Sequence, residues 1–169
     1  MTATVEVRRA RLSDAEAIAG FVNAAHSDVS RQGEITGLSV VQRFGQIGFM
    51  LAERAGQVVG LLGWQIENLI VRVTDCLIAA SGAEAMRIAR ALIETMEAEA
   101  RELRAEAALL FLPAEPSAGL VRFWESLGYD AECLDALGAP CREAANEWGL
   151  SAERVMIKYL REEPIGRPV

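Results

Sequence analysis

One histidine and three cysteines bound the nucleophilic and metal chemistry open to this chain of 169 residues. His26 is the only imidazole, so a Ser-His-Asp or Cys-His mechanism would have to run entirely through it. Cys76, Cys133 and Cys141 are odd in number and contain no CxxC pair, so the spacing supports neither a Cys/His zinc site nor a disulfide framework. They read as reduced, structural thiols. Seventeen Lys and Arg against 24 Asp and Glu give a net charge of -7, the wrong sign for neutralising a phosphate backbone in the absence of a segregated basic face. Nucleic acid is therefore not an expected partner.

The elements that must position any site can be read from hydrophobic periodicity. With 51% hydrophobic and 24% charged residues, the composition is that of a globular chain, and its length suits one compact domain. No apolar run approaches the length of a membrane helix, and the N-terminus has no apolar signal region, so the sequence predicts no membrane partner and a cytoplasmic location. Val5 and Val7, between Glu6 and Arg8, predict a first strand. Ser13, followed by Glu16, predicts an N-cap with a capping box, and Ile18, Phe21, Val22 and Ala25 paint one face of the helix that follows. A loop is expected over Ser27 to Gly37 and a short helix over Leu38 to Gln46.

Further along, Phe49 to Glu53 and Gln57 to Gln65 are β-prone runs joined by Arg54-Ala55-Gly56, which predicts an antiparallel hairpin. Ile66 to Ala80 suits a further strand. Met86, Ala89, Leu92, Ile93, Met96, Ala100 and Leu103 form one stripe of a long helix after Ser81-Gly82, with Glu94, Glu97, Glu99, Arg101 and Glu102 mostly off it. Ala107 to Leu112 predicts a strand, Ser117 a helix N-cap, and Arg154 to Leu160 a last strand. Asp135 to Ser151 reads as a loop with one short helix at most. The order is that of an α/β chain with an antiparallel start. Phe44, Phe49, Trp64 and Trp148 either line a pocket or, as aromatics at such spacing generally do, fill the core.

This order, together with two local segments, resembles the GNAT superfamily of acyl-CoA-dependent N-acyltransferases over nearly the whole chain. The segment from Leu77 to Leu92, LIAASGAEAMRIARAL, looks like the family's strand, loop and pyrophosphate-binding helix, where the family carries Q/R-x-x-G-x-G/A. The segment Phe123-Trp124-Glu125-Ser126-Leu127-Gly128-Tyr129 is similar to the family's F-Y-E-x-x-G-F. The resemblance implies an α/β (α+β) fold with a central mixed, mostly antiparallel sheet flanked by helices, in a single domain over residues 1–169 with a polar C-terminal tail. It also implies transfer of an acetyl or other acyl group from acetyl-CoA or another acyl-CoA to an amine on a small molecule or a protein. A homodimer is left open.

Carried over by position, the cofactor-binding residues would be Leu77, Ala79, Glu84, Ala85, Met86, Arg87, Ile88, Ala89, Arg90, Ser117 and Trp124. The physical basis is the positive end of the helix, whose free amides meet the pyrophosphate. Ala89 conforms to the pattern. Glu84 stands where the family prefers Gln or Arg, and Arg87 stands at its first Gly. Arg87 either obstructs those amides or reaches phosphate oxygens itself, with Arg90 one turn on, and both arginines can equally pair with Glu94 or Glu84 on a solvated face. Asp75, two residues before Leu77, matches the family's catalytic base by position; the alternative is a strand-end Asp facing solvent or pairing with Arg72. Trp124 replaces the family's acidic tyrosine, and an indole N–H cannot protonate a thiolate. Tyr129 matches a core aromatic, and Ser117 is most simply an N-cap. His26 would border the acceptor site and bind substrate. The departures at Glu84, Arg87 and Trp124 keep a second reading open, a catalytically weakened domain of the same fold that binds a ligand or partner.

Overall fold

A computed structural model describes residues 4–25, 34–148 and 154–161. His26, most of the expected 27–37 loop, residues 149–153 and the polar tail beyond Arg161 lie outside the described residues. The described residues form seven strands, β1 (Glu6–Arg9), β2 (Gly48–Arg54), β3 (Gln57–Glu67), β4 (Ile70–Ile78), β5 (Ala107–Phe111), β6 (Asp130–Cys133) and β7 (Arg154–Tyr159). They form one mixed sheet in the order β1-β2-β3-β4-β5-β7-β6. Five α-helices accompany it, α1 (Ala15–Ala25), α2 (Gly37–Arg43), α3 (Gly82–Glu102), α4 (Ala118–Glu125) and α5 (Ala139–Glu147). This is the mixed, helix-flanked α/β architecture that the resemblance implies.

The chain divides into two compact units, Met1–Gln65 with Thr74–Met96 and Ile66–Val73 with Glu97–Val169. In the first unit β1 and β2 pair antiparallel from Glu6↔Glu53 to Arg9↔Met50, and β2 and β3 pair antiparallel with a bulge between Ala52 and Glu53. Ala55 and Gly56, with φ of 49° and 76°, make the two-residue turn between β2 and β3, where Gly56 takes the positive φ without steric cost. Ile18, Ala19, Val22, Val40, Phe49, Leu51 and Leu61 form the core under α1 and α2. The cap before α1 differs from the expected one. A 3-10 turn at Leu12–Asp14 intervenes, and Asp14, not Ser13, accepts from the Arg11 amide at 2.7 Å. Thr36 caps α2, accepting from Ser39 N at 3.3 Å while Ser39 Oγ accepts from Thr36 N at 3.1 Å.

The seating of α3 depends on a glycine. A Cβ at Gly60 of β3 would stand 2.8 Å from Ile88 Cγ2 and 3.0 Å from Leu92 Cδ1, so the bare backbone lets the helix approach the strand closely. Ala89, Leu92, Ile93, Met96 and Ala100 of the expected stripe are buried, but its ends, Met86 and Leu103, are exposed.

In the second unit β4 pairs parallel with β5 from Ile70↔Ala107 to Arg72↔Leu109, β5 pairs antiparallel with β7, and β7 with β6. Its core joins Ile70, Ala107, Leu109, Leu137, Cys141, Ala144, Val155 and Ile157. Two features depart from the sequence reading. Asn68 and Leu69, at φ of 50° and 65°, form a tight turn, so the apolar run after Gln65 contains the end of one strand, a turn and the start of the next. β6 is exposed at all four residues and carries no apolar alternation to reveal it. The segment after Asp135 does hold one helix, α5, started by Gly138 with Pro140 in its first turn, where a missing N–H costs nothing.

Candidate active site

Asp75 lies on β4 in the first unit, on the same strand face as Leu77, whose side chain packs on the core under α1 and α2. Arg43, the last residue of α2, donates from Nη2 to Asp75 Oδ2 at 3.0 Å, and Thr74 Oγ1 donates to the same oxygen at 2.9 Å. Both bonds fall on Oδ2, which leaves Oδ1 as the carboxylate's open acceptor. The Asp75 side chain is 35% exposed, so it is within reach of a dissolved substrate. Arg43 in turn sits 5.6 Å over the Phe49 ring, which meets Phe44 edge-on at 5.2 Å. Asp75 is therefore paired with Arg43 while staying partly open to solvent. An arginine at a helix C-terminus, stacked on an aromatic face, fixes its orientation.

Gly63 on β3 makes room for this group. A Cβ there would stand 2.5 Å from Thr74 Oγ1 and 2.8 Å from Asp75 Oδ2. Arg43, Thr74 and Gly63 were not signalled by the sequence reading. A lone glycine inside an apolar strand was the available clue, since it marks a bulge or a close approach.

The second group is the start of α3. The helix begins at Gly82, before the aligned cofactor pattern, so Gly82, Ala83 and Glu84 supply its leading amides, while Ala85 N already approaches Ser81 O at 3.4 Å. Gly82 has φ of 58°, and no atom lies within 4 Å of where its Cβ would stand. Glu84 is ion-paired with Arg54 at the end of β2. Glu84, Arg87 and Ile88 share the lining of one cavity, whereas Met86 is exposed and Ile88 and Ala89 are buried against the sheet. Arg90 lies 3.8 Å from Glu94 along the helix, the solvated-face pairing foreseen for it. The amide of Ala79 is already bonded to Val59 O at 2.9 Å, leaving only its carbonyl free of that bond.

Ser117 and Trp124 belong to the second unit. Ser117 Oγ accepts from Leu120 N at 3.2 Å and N-caps α4. Trp124 is 4% exposed, meeting Phe123 at 5.3 Å and Tyr129 at 5.1 Å, both edge-on. Tyr129 is 1% exposed, and burial pushes its hydroxyl well above the usual tyrosine range, which places it in the core and not among proton donors. Phe49 and Trp64 are likewise core residues. Glu97, expected on the polar face of α3, is 2% exposed, with Lys158 Nζ at 2.7 Å and Arg101 Nη2 at 3.2 Å. Among the described residues no group of His, Cys, Asp and Glu could hold a metal ion, and no helix is long and apolar enough to cross a membrane.

No protein family's sequence profile matches the chain, and no curated protein matches it. Solved structures match it in fold. A GNAT-family acetyltransferase from Staphylococcus aureus aligns with a TM-score of 0.70 at 12% identity, covering 94% of this chain and 100% of its own. PaiA N-acetyltransferase from Thermoplasma acidophilum, solved with coenzyme A, aligns with a TM-score of 0.64 at 13% identity, covering 92% and 99%. A putative acetyltransferase from Salmonella typhimurium, solved with acetyl-CoA, aligns with a TM-score of 0.64 at 16% identity, covering 94% and 95%. From its first strand to its last, this chain has the fold of the GNAT-family acetyltransferases.

Proposed function

We propose that the protein is an acyl-CoA-dependent N-acyltransferase that transfers an acetyl or other acyl group to an amine by direct attack on the thioester. The observation that carries this is the likeness over more than nine tenths of the chain to acetyltransferases, two of them solved with coenzyme A or acetyl-CoA. The fold by itself hosts function without dictating it, so the residues must also fit. They do at the helix start. No atom crowds the Cβ position of Gly82 at the start of α3, and the charge of Glu84, which would repel a diphosphate, is compensated by Arg54. Gly82, Ala83 and Glu84 would hold the diphosphate through their amides, and the cofactor would supply the activated acyl group.

This chain's own contribution is the handling of the amine. Asp75 Oδ1 is the acceptor for the proton that the substrate ammonium must lose before its neutral amine attacks, and Arg43 and Thr74 hold the carboxylate through its other oxygen. The acceptor belongs to the class of primary amines small enough, or on a flexible enough segment, to reach Asp75. Titration with acetyl-CoA tests the first half, because a ligand of the folded state raises Tm as its concentration exceeds Kd. Thiol release in the presence of a panel of amines tests the second. No thermal shift at millimolar acetyl-CoA overturns the assignment.

A second reading is favoured by Trp124. It occupies the position of the family's acid, is buried among aromatics, and has no proton to give a thiolate. Acetyl-CoA binding without thiol release for any amine would select this reading, a domain that keeps the ligand and has lost turnover.

A further inference from the structure

A second feature of α3 lies along its flank. A cavity of about 370 Å3 is lined by Thr4 and Val5 ahead of β1, Arg54 at the end of β2, and Glu84, Arg87, Ile88 and Ala91 of α3. The four helical residues recur at i, i+3, i+4 and i+7, so the cavity follows the helix side for about 10 Å rather than crossing its end. The amides assigned above to the diphosphate belong to the first three helical residues, Gly82, Ala83 and Glu84, of which only Glu84 also lines the cavity.

The charge of this cavity runs against that of the chain. The sequence carries a net -7, yet the lining holds two guanidinium groups against one carboxylate, a local excess of one positive charge. Arg54 donates from Nη2 to Glu84, but its Nε–H is buried with no acceptor. The Arg87 side chain has neither an ion pair nor a hydrogen bond among the described residues. Thr4 brings a hydroxyl-bearing side chain to the lining, and Val5, Ile88 and Ala91 supply apolar wall. A single carboxylate is satisfied by one guanidinium fork. Two forks brought together from a strand end and a helix match a tetrahedral oxyanion with three or more acceptor oxygens.

We propose that this flank cavity binds a small phosphate monoester, with Arg87 and Arg54 on the phosphate, Thr4 beside it and the organic part against the apolar wall. The volume is within the range of small-molecule sites. Glu84 sets the affinity, because it competes with the phosphate for Arg54.

Calorimetric titration of the full chain with inorganic phosphate at low ionic strength tests this, with acetate as the carboxylate arm. Saturable phosphate binding with Kd near or below about 1 mM is expected, with acetate at least roughly tenfold weaker. Arg87→Gln, an exposed position whose loss leaves the core intact, should weaken phosphate at least about tenfold, with acetyl-CoA titrated into the same variant. Glu84→Gln should tighten phosphate several-fold, a gain that no purely structural role of Glu84 produces. Absence of phosphate binding at about 10 mM, or equal binding by the wild type and Arg87→Gln, overturns the site. Joint loss of phosphate and acetyl-CoA binding in Arg87→Gln overturns it as a site separate from the cofactor. Phosphate binding that depends on Arg87, in a protein that takes up no acetyl-CoA, would leave this site standing and remove the transferase reading.

Discussion

Asp75 in one unit and Glu97 in the other are both carboxylates held by a cation at hydrogen-bond distance, and they do opposite work. Asp75 and Arg43 are 35% and 43% exposed, so their attraction is screened and contributes on the order of 0.2–1 kcal/mol. Both partners of Asp75 meet one oxygen, and the other stays open to a reactant. Glu97 is 3% exposed at its side chain and binds Lys158 and Arg101, while Lys158 also donates to Leu127 O at 2.8 Å. Lys158 is the only lysine in the sequence, and it is spent on this contact. Glu97 Oε1 and the Tyr129 hydroxyl, both buried, lack partners there. A carboxylate can serve chemistry where water and substrate reach it. Where they do not, its charge is committed to holding strands and helices together.

The contrast can be broken most sharply at Lys158. Lys158→Met leaves the buried Glu97 with the half-exposed Arg101 as its one cation, and a loss of about 3 kcal/mol in denaturant unfolding is expected, with much of it restored in the Glu97→Gln/Lys158→Met double variant. If the single variant loses less than about 1 kcal/mol, the ion pair is not the structural element described. Asp75→Asn should do the reverse, lowering kcat for amine acylation by about 100-fold while leaving Tm and acetyl-CoA affinity nearly unchanged. Retained kcat would remove Asp75 as the base.

Gly63→Ala probes the same carboxylate through its surroundings. The added methyl falls on Thr74 and Asp75, so a loss of about 1–2 kcal/mol in stability is expected together with a roughly tenfold fall in kcat. Loss of stability with kcat intact would mean that the placement of Asp75 does not matter to the reaction. The smallest effect concerns Asp14, whose carboxyl Arg8 holds down at about 2 against an ordinary value of 3.8. A depressed folded-state pKa stabilises the protein fully above about 4 and loses that contribution as pH falls from there toward 2. The ion pair is partly exposed, so its contribution is about 1 kcal/mol. Asp14→Asn should therefore unfold with a flatter acid limb below pH 4, and an unchanged limb would refute the linkage.

The elements with strong periodicity were legible in the sequence. The stripe through Ala89, Leu92, Ile93, Met96 and Ala100, the hairpin across Ala55-Gly56 and the cap at Ser117 each follow from local chemistry. β6 was not legible, because four exposed residues on an edge strand carry no pattern. The turn at Asn68-Leu69 was hidden within an apolar run in which only the asparagine hints at a positive φ. Of the candidate site, Asp75 and the helix start were found by position. Arg43, Thr74 and Gly63 were not, since a contact between residues 43 and 75 leaves no trace in either neighbourhood.

By itself the sequence determined the order of strands and helices as far as α4, the carboxylate on β4 and the charges on the first turns of α3. Local periodicity and capping fix these within a few residues of each position. Tertiary structure alone decided which charges meet. It set Arg43 against Asp75, turned Arg54 toward Glu84, and buried Glu97 beside Lys158, because each partner comes from an element remote along the chain. Whether a carboxylate is reachable or enclosed depends on what packs over it, and packing is a property of the folded arrangement.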